Sequence, residues 1–189
     1  MVEEARGLDA SNVEDLSWVQ AFQAGDQNGF DRLVLKYQDK VFHLCYRLLA
    51  HHEDATDTAQ EAFVKACLFL KGFRLETVFS TWLARIVVRT AKNKLTSSEY
   101  RYHRKMMRPG QHPSEAGRPP LEQKGKEKLV QDALDALPEE ERVILLLRDL
   151  EGLPYLEIAH VMGVHRGSVK SKLARARQAV KEKLNEVVG

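Results

Sequence analysis

The chain has little of what most enzymes, metalloproteins and membrane proteins are built from. Its 189 residues include two cysteines, six prolines and two tryptophans, and aromatic residues make up 7%. Cys45 and Cys67 are far apart and each sits inside an apolar helical pattern, so they read as buried free thiols rather than a zinc pair or a disulfide. No apolar run approaches the roughly 20 residues of a membrane span; even Val143 to Leu147 is closed by Arg142 and Arg148. Met1 to Ala10 carries Glu3, Glu4 and Asp9 and no apolar h-region, so no secretory signal is expected and a cytoplasmic location is inferred. Gly-rich phosphate loops are missing, which leaves nucleotide hydrolysis without visible machinery. The densest ionisable cluster, His51-His52-Glu53-Asp54, lacks the His-x-x-x-His spacing of a helical zinc site and reads as a helix cap and turn. Neither a catalytic residue, a metal nor a cofactor is expected.

What is present is charge, unevenly placed. The net charge is only +2, yet Met1 to Val64 holds twelve acidic residues against five Lys or Arg. Arg85 to Arg108 reverses this with eight basic residues and one acidic, and His165 to Leu184 has seven and one. Two separated basic blocks behind an acidic front imply two surfaces facing a polyanion and one facing protein.

Strand-like alternation is scarce, whereas apolar residues recur at three and four in Phe30, Leu33, Val34, Tyr37, Val41, Leu44 and Leu48. The fold class expected is all-α. Helices are expected at about Leu16 to Ala24, Asn28 to Ala50, His52 to Leu70 and Phe79 to Ser97, then Glu127 to Ala136, Glu139 to Leu150, Tyr155 to Met162 and Gly167 to Val187. Four of the six prolines, at 109, 113, 119 and 120, crowd between Tyr100 and Gly125 with Gly110 and Gly117, which reads as a flexible connector. The chain then divides into two small helical domains, 1–98 and 126–189, joined by a linker at 99–125.

Leu153 to Leu184 has the order of a helix-turn-helix: a short helix, a turn at Met162-Gly163-Val164 and a long basic helix. Gly163 supplies the positive φ such a turn needs. At 100° per residue Val169, Leu173, Ala176, Val180 and Leu184 form one apolar stripe. The opposite face carries Ser171, Ala174, Arg175 and Gln178, flanked by Lys170 and Lys172, a composition suited to phosphate contacts and base edges in a DNA groove.

The run Leu137-Pro138-Glu139-Glu140-Glu141-Arg142, with Leu146 to Leu153, Gly167 to Lys172 and Arg175-Ala176-Arg177, resembles the fourth conserved region of extracytoplasmic-function sigma factors. The segment Phe73-Arg74, Phe79, Thr81-Trp82-Leu83, Arg85-Ile86 and Thr90 to Asn93 resembles their second conserved region. Asp54 to Phe63 resembles the helix with which that family docks on polymerase. The resemblance covers roughly Asp26 to Leu95 and Leu129 to Leu184. It departs at Pro154, Leu156 and His165-Arg166, and again at Leu75 and Arg89, where the family often has Gly and Asn.

The resemblance implies a subunit that binds core RNA polymerase, directs it to promoter DNA and is held in check by an anti-sigma factor. Asp54, Asp57, Gln60, Glu61 and Phe63 would meet the clamp of the beta-prime subunit. Phe73, Trp82, Arg85, Arg89, Lys92 and Asn93 would meet the melted minus-ten element, with Arg85, Arg89 and Lys92 spaced to form one cationic ridge. Arg166, Lys170, Ser171, Lys172, Ala174 and Arg175 would meet the minus-thirty-five element, while the second domain's apolar surface holds the beta flap. A mimic that sequesters an anti-sigma factor could dispense with a cationic recognition helix. A conventional helix-turn-helix regulator would need no acidic docking helix before a cationic ridge.

Overall fold

The computed structural model describes residues 10–75, 77–98, 100 and 121–188, and every regular element among them is a helix. Four precede the connector: α1 (Ala10–Gln23), α2 (Asn28–Leu49), α3 (His52–Leu70) and α4 (Phe79–Thr96). Four follow it: α5 (Leu121–Asp135), α6 (Glu139–Asp149), α7 (Tyr155–Met162) and α8 (Arg166–Val188). Two starts differ from expectation. α1 begins at Ala10, ahead of the expected Leu16, since the stretch Ser11-Asn12-Val13-Glu14-Asp15 gives periodicity little to report, and α5 begins at Leu121, inside the segment expected as connector. The rest of that segment, 101–120, lies outside the described residues.

Chain reversals follow local chemistry. Gly25, at φ +106, ends α1: its N–H donates to Phe22 O and that of Asp26 to Ala21 O, the paired bonds of a Schellman motif. The Asp26 carboxylate then accepts from the Asn28 N–H at 3.0 Å and starts α2. His51 caps α3 by accepting the Asp54 N–H on Nδ1 at 3.3 Å, so the histidine-rich junction is a cap, as its spacing implies. Gly163, at φ +66, makes the turn between α7 and α8.

The first four helices bury Val19, Phe22, Leu33, Leu44, Leu48, Leu70, Leu83 and Val87. Phe79 lies at their centre, tilted against Tyr37 at 5.5 Å and Trp82 at 5.6 Å between ring centroids. Asp15 is buried with them and accepts the Tyr37 hydroxyl at 2.5 Å and the Lys36 ammonium at 2.6 Å. Burial first, and then the Asp15 carboxylate, push the Tyr37 phenol far above its ordinary pKa. In the second half Val169, Leu173 and Ala176 of α8 pack with Ile158 and Ala159 of α7 and with Ile144 and Leu147 of α6, the stripe read from the sequence. Cys45 is fully buried and its thiol is pushed up to about 12 by burial; Cys67 is half-buried.

The two halves touch. The last four carbonyls of an α-helix have no partner inside it, and those of α2 are at Tyr46, Arg47, Leu48 and Leu49. Tyr46 O accepts the Ala50 N–H at 2.8 Å. The others accept side chains from later in the chain: Gln131 Nε2 on Arg47 O at 3.3 Å, Arg142 on Leu48 O at 3.1 Å and the Tyr100 hydroxyl on Leu49 O at 2.6 Å. Arg142 is only 4% exposed and also pairs with Asp135 at 2.8 Å. Nearby, Glu151 after α6 enters a small pocket lined by Tyr37, Lys40, Ser80, Leu83 and Val87.

Candidate functional site

Three surfaces carry the residues singled out by sequence. On α3, Asp57, Gln60 and Glu61 are exposed and share one face, and Glu61 pairs with Lys65 at 2.6 Å along the same helix. The other two candidates stand apart from them. Asp54 is half-buried between His51, at 3.0 Å, and Lys94 of α4, at 2.9 Å, so its charge ties α3 to α4. Phe63 packs partly buried against the core.

The same exposed face continues through residues the sequence reading missed. Asp57, Glu61, Val64 and Leu68 follow one another at four, three and four, a straight stripe on a helix. Val64 is 60% exposed and Leu68 71%, and Phe69 beside them is 62% exposed. The face is therefore acidic at its N-terminal end and apolar at its C-terminal end. The signal that could have found Val64 and Leu68 is their spacing of three and seven from Glu61, which places them on the acidic face.

On α4, Arg85, Arg89 and Asn93 are exposed and Lys92 is half-buried. None of the three cations pairs with an acid among the described residues, so the ridge keeps its charge toward solvent. Phe73 and Trp82 do not line an open pocket. Phe73 is 6% exposed and meets Trp82 edge-on at 5.1 Å and Phe79 at 6.0 Å, while Trp82 is half-buried. In the loop between α3 and α4 the side chains of Arg74, Leu75 and Val78 are exposed. Gln23, at the end of α1, fixes the start of this loop: its amide donates to the carbonyls of Leu70 at 3.0 Å and Phe73 at 3.1 Å. Sequence reasoning missed Gln23, since its partners lie some fifty residues away.

On α8, Arg166, Lys170, Ser171, Ala174 and Arg175 are exposed and Lys172 is half-buried. Two of the cations are already engaged. Lys172 pairs with Glu140 and Arg175 with Glu141, the latter at 2.9 Å, both acids lying in the first turn of α6. The Lys172 ammonium, and more weakly Lys92 from α4, hold the Glu140 carboxyl below its usual range. Arg166 and Lys170 pair with no acid among the described residues.

No group of three or more His, Cys, Asp or Glu side chains is placed to hold a metal among the described residues, nor is any described helix long and apolar enough to cross a membrane. The arrangement can engage a polyanion at two places and a protein at a third.

Comparison with known proteins gives this arrangement a family. Residues 33–101 match the family described as Sigma-70 region 2, and residues 127–180 match Sigma-70, region 4. The chain is 36% identical over 185 residues to the RNA polymerase sigma-H factor of Pseudomonas aeruginosa, covering 93% of this chain and 96% of that protein. It is 35% identical over 189 residues to the ECF RNA polymerase sigma-E factor of Haemophilus influenzae, covering 95% and 100%. The sigma-E factor of Escherichia coli K12 is equally similar, at 35% with 95% and 98% covered. Among solved structures the fold matches CnrH in complex with the cytosolic domain of CnrY, with a TM-score of 0.70 at 21% identity over 92% of this chain and 98% of that one. It also matches the sigma factor RpoE in complex with the anti-sigma factor NepR from Bartonella quintana, at 0.64 and 22% over 82% and 96%. The chain belongs to the extracytoplasmic-function sigma factors of the sigma-70 family. It is an alternative sigma factor, and sigma factors are transcription initiation factors.

Proposed function

We propose that this sigma factor docks on the beta-prime clamp of core RNA polymerase through the exposed face of α3 and reads promoter DNA through α4 and α8. The observation that carries the reading is one chain holding an exposed acidic-to-apolar docking stripe and two basic surfaces, one unpaired on α4 and one on the second helix of a helix-turn-helix. Asp57, Gln60 and Glu61 pair with basic groups on the clamp, and Val64 and Leu68 add apolar burial, the usual division between a polar rim and an anchoring core. Asp54 and Phe63 support the helix from behind.

Arg85, Arg89 and Lys92 follow the phosphates of the minus-ten strand, with Asn93 reading a base edge, while the α3–α4 loop and Trp82 receive a base flipped from the melted strand. Phe73 acts by holding Trp82 in place. Arg166, Lys170, Ser171, Lys172, Ala174 and Arg175 meet the minus-thirty-five element in the major groove. Leu150 and Leu156, each 49% exposed, offer the beta flap an apolar contact. With polymerase fixing both units, the second contact becomes intramolecular, so neither unit needs high affinity alone. The protein works in the cytoplasm, catalyses no reaction itself and is silenced by an anti-sigma factor; RpoE, which shares its fold, was solved with such a partner.

The deciding experiment is run-off transcription with core polymerase of the native bacterium on its pooled genomic promoters. Discrete new starts with the protein, lost on Asp57→Lys with Glu61→Lys and on Lys170→Glu with Arg175→Glu, support the reading. Absence of core binding by the wild-type chain overturns it.

A further inference from the structure

α1 has no task in the function proposed above, yet one of its side chains reaches the loop assigned there to the flipped base. α1 is a fixed frame. Phe22 meets Phe30 of α2 at 5.7 Å between ring centroids, Gly29 lets the α1 backbone lie directly on α2, and Asp15 ties the other end to Lys36 and Tyr37. From the last turn of this frame the half-buried Gln23 reaches across to the end of α3. Its Nε2 lies 3.0 Å from Leu70 O, 3.1 Å from Phe73 O and 3.4 Å from Lys71 O. An amide nitrogen carries two N–H groups, which serve Leu70 and Phe73 and leave Lys71 at the margin. The amide oxygen in the same place would face three carbonyl oxygens, so only a donor fits there.

The carbonyls held in this way belong to the turn that leaves α3. There the Gly72 N–H donates to Phe69 O at 3.0 Å and the Phe73 N–H to Leu70 O at 3.1 Å, so Leu70 O accepts once from the turn and once from Gln23. Phe73 is buried, and its ring meets Trp82 at 5.1 Å and Phe79 at 6.0 Å. Directly beyond it the side chains of Arg74 and Leu75 are exposed. Gln23 therefore holds the backbone at the point where a buried ring gives way to exposed loop side chains. Without the amide the turn keeps these two short-range bonds, each of modest net worth.

We propose that Gln23 is a positioning residue for promoter reading: it fixes the backbone from Leu70 to Phe73 so that Arg74, Leu75 and Trp82 meet the extruded minus-ten base in one geometry. A loop free to shift would still follow the phosphates through α4, but would accept one base nearly as well as another, because discrimination needs groups held in place before the base arrives. The consequence for promoters rests on the function proposed above; the hold on the loop does not.

The test uses the full chain with Gln23→Met, which keeps the length and loses the donor, and Gln23→Lys, which returns a donor at similar reach. Amide hydrogen exchange comes first and needs no DNA. In Gln23→Met the amides of Gly72 and Phe73 should exchange about tenfold faster while those in the middle of α2 keep wild-type rates, and Gln23→Lys should return them toward the wild type. Each protein is then assembled with core polymerase and given a promoter active in the run-off assay, with its minus-ten segment randomised. Gln23→Met should lose about tenfold in base discrimination at one position of that segment, with core binding and the minus-thirty-five preference unchanged. Gln23→Lys should recover most of it. The added charge of Lys raises affinity for every sequence alike, so it does not imitate a recovered preference.

Unchanged exchange at Gly72 and Phe73 in Gln23→Met overturns the hold on the loop, whether or not any promoter fires. Faster exchange with an undiminished base preference makes the amide a strut and overturns its part in reading. Equal losses from Met and Lys assign the effect to packing instead of the donor and overturn it too. A wild type without discrete starts overturns the promoter function and the reading role with it, leaving the hold on the loop to stand or fall by the exchange rates.

Discussion

At Gly29 a hydrogen atom is all that space allows. A Cβ built there would lie 2.3 Å from the Trp18 carbonyl oxygen and 2.9 Å from the Phe22 nitrogen, both backbone atoms that cannot swing aside. Gly29→Ala should therefore push α1 off α2. With a typical overpacking cost of about 1–3 kcal/mol, the midpoint of thermal unfolding should fall by roughly 2–12 °C, read by circular dichroism. A midpoint unchanged within a degree would mean that α1 docks more loosely than its contacts indicate. Gly29 carried no such signal in the sequence, where a glycine one residue into a helix looks like a cap variant. Asp54 shows a related blind spot: the family resemblance put it with Asp57 and Glu61, and only the fold brings Lys94 to it. Gly25 and Gly163 were legible, because each follows an apolar pattern that stops.

The helices themselves were largely legible, since long amphipathic segments report their period, and the apolar stripe of α8 packs as its spacing requires. What periodicity could not supply is which apolar residues stay outside. On α3 the stripe from Asp57 to Leu68 is exposed along its whole length, and under the docking proposal its apolar end is the anchor. Leu68→Asp should weaken binding to core polymerase by about tenfold or more, since truncating a buried interface anchor typically costs about 2 kcal/mol or more. The helix should keep its stability, because a side chain 71% exposed contributes little to folding. Fluorescence titration of labelled core against thermal melting separates the two; a loss of both would return Leu68 to a structural role. On α8 the pairing pattern ranks the cations. Lys170 makes no ion pair among the described residues, whereas Lys172 must leave Glu140 before it can serve a phosphate. Lys170→Ala should lower the slope of log affinity against log salt for duplex DNA by about one unit, and Lys172→Ala by less. An equal loss from both would mean that the α6 carboxylates step aside at no cost.

Across the whole molecule the sequence places two basic blocks behind an acidic front, but is silent on how the halves meet. The reason is physical: Arg142 and Gln131 bind backbone carbonyls at the end of α2, and a carbonyl leaves no mark on residue identity. Glu151 belongs to the same seam. It enters from the turn after α6 against Tyr37, Lys40 and Ser80, and burial raises its pKa above the ordinary carboxylate value, with Lys40 pulling the other way. The folded chain therefore binds the Glu151 proton more tightly than the unfolded chain, in which the side chain meets water. Below the ordinary value near 4.5 both forms hold the proton and Glu151 adds no penalty. As pH rises through the raised value, the folded chain loses its proton into a desolvated site and its advantage shrinks. Glu151→Gln keeps the shape and removes the charge, so at neutral pH the variant should be the more stable, with a higher unfolding midpoint. Its advantage over the wild type should shrink as pH falls toward 4.5. Parallel melting curves of the two proteins from neutral to mildly acid pH read this directly. A midpoint difference that does not change with pH would show that Glu151 binds its proton no more tightly in the folded chain than in the unfolded one, Lys40 offsetting the burial.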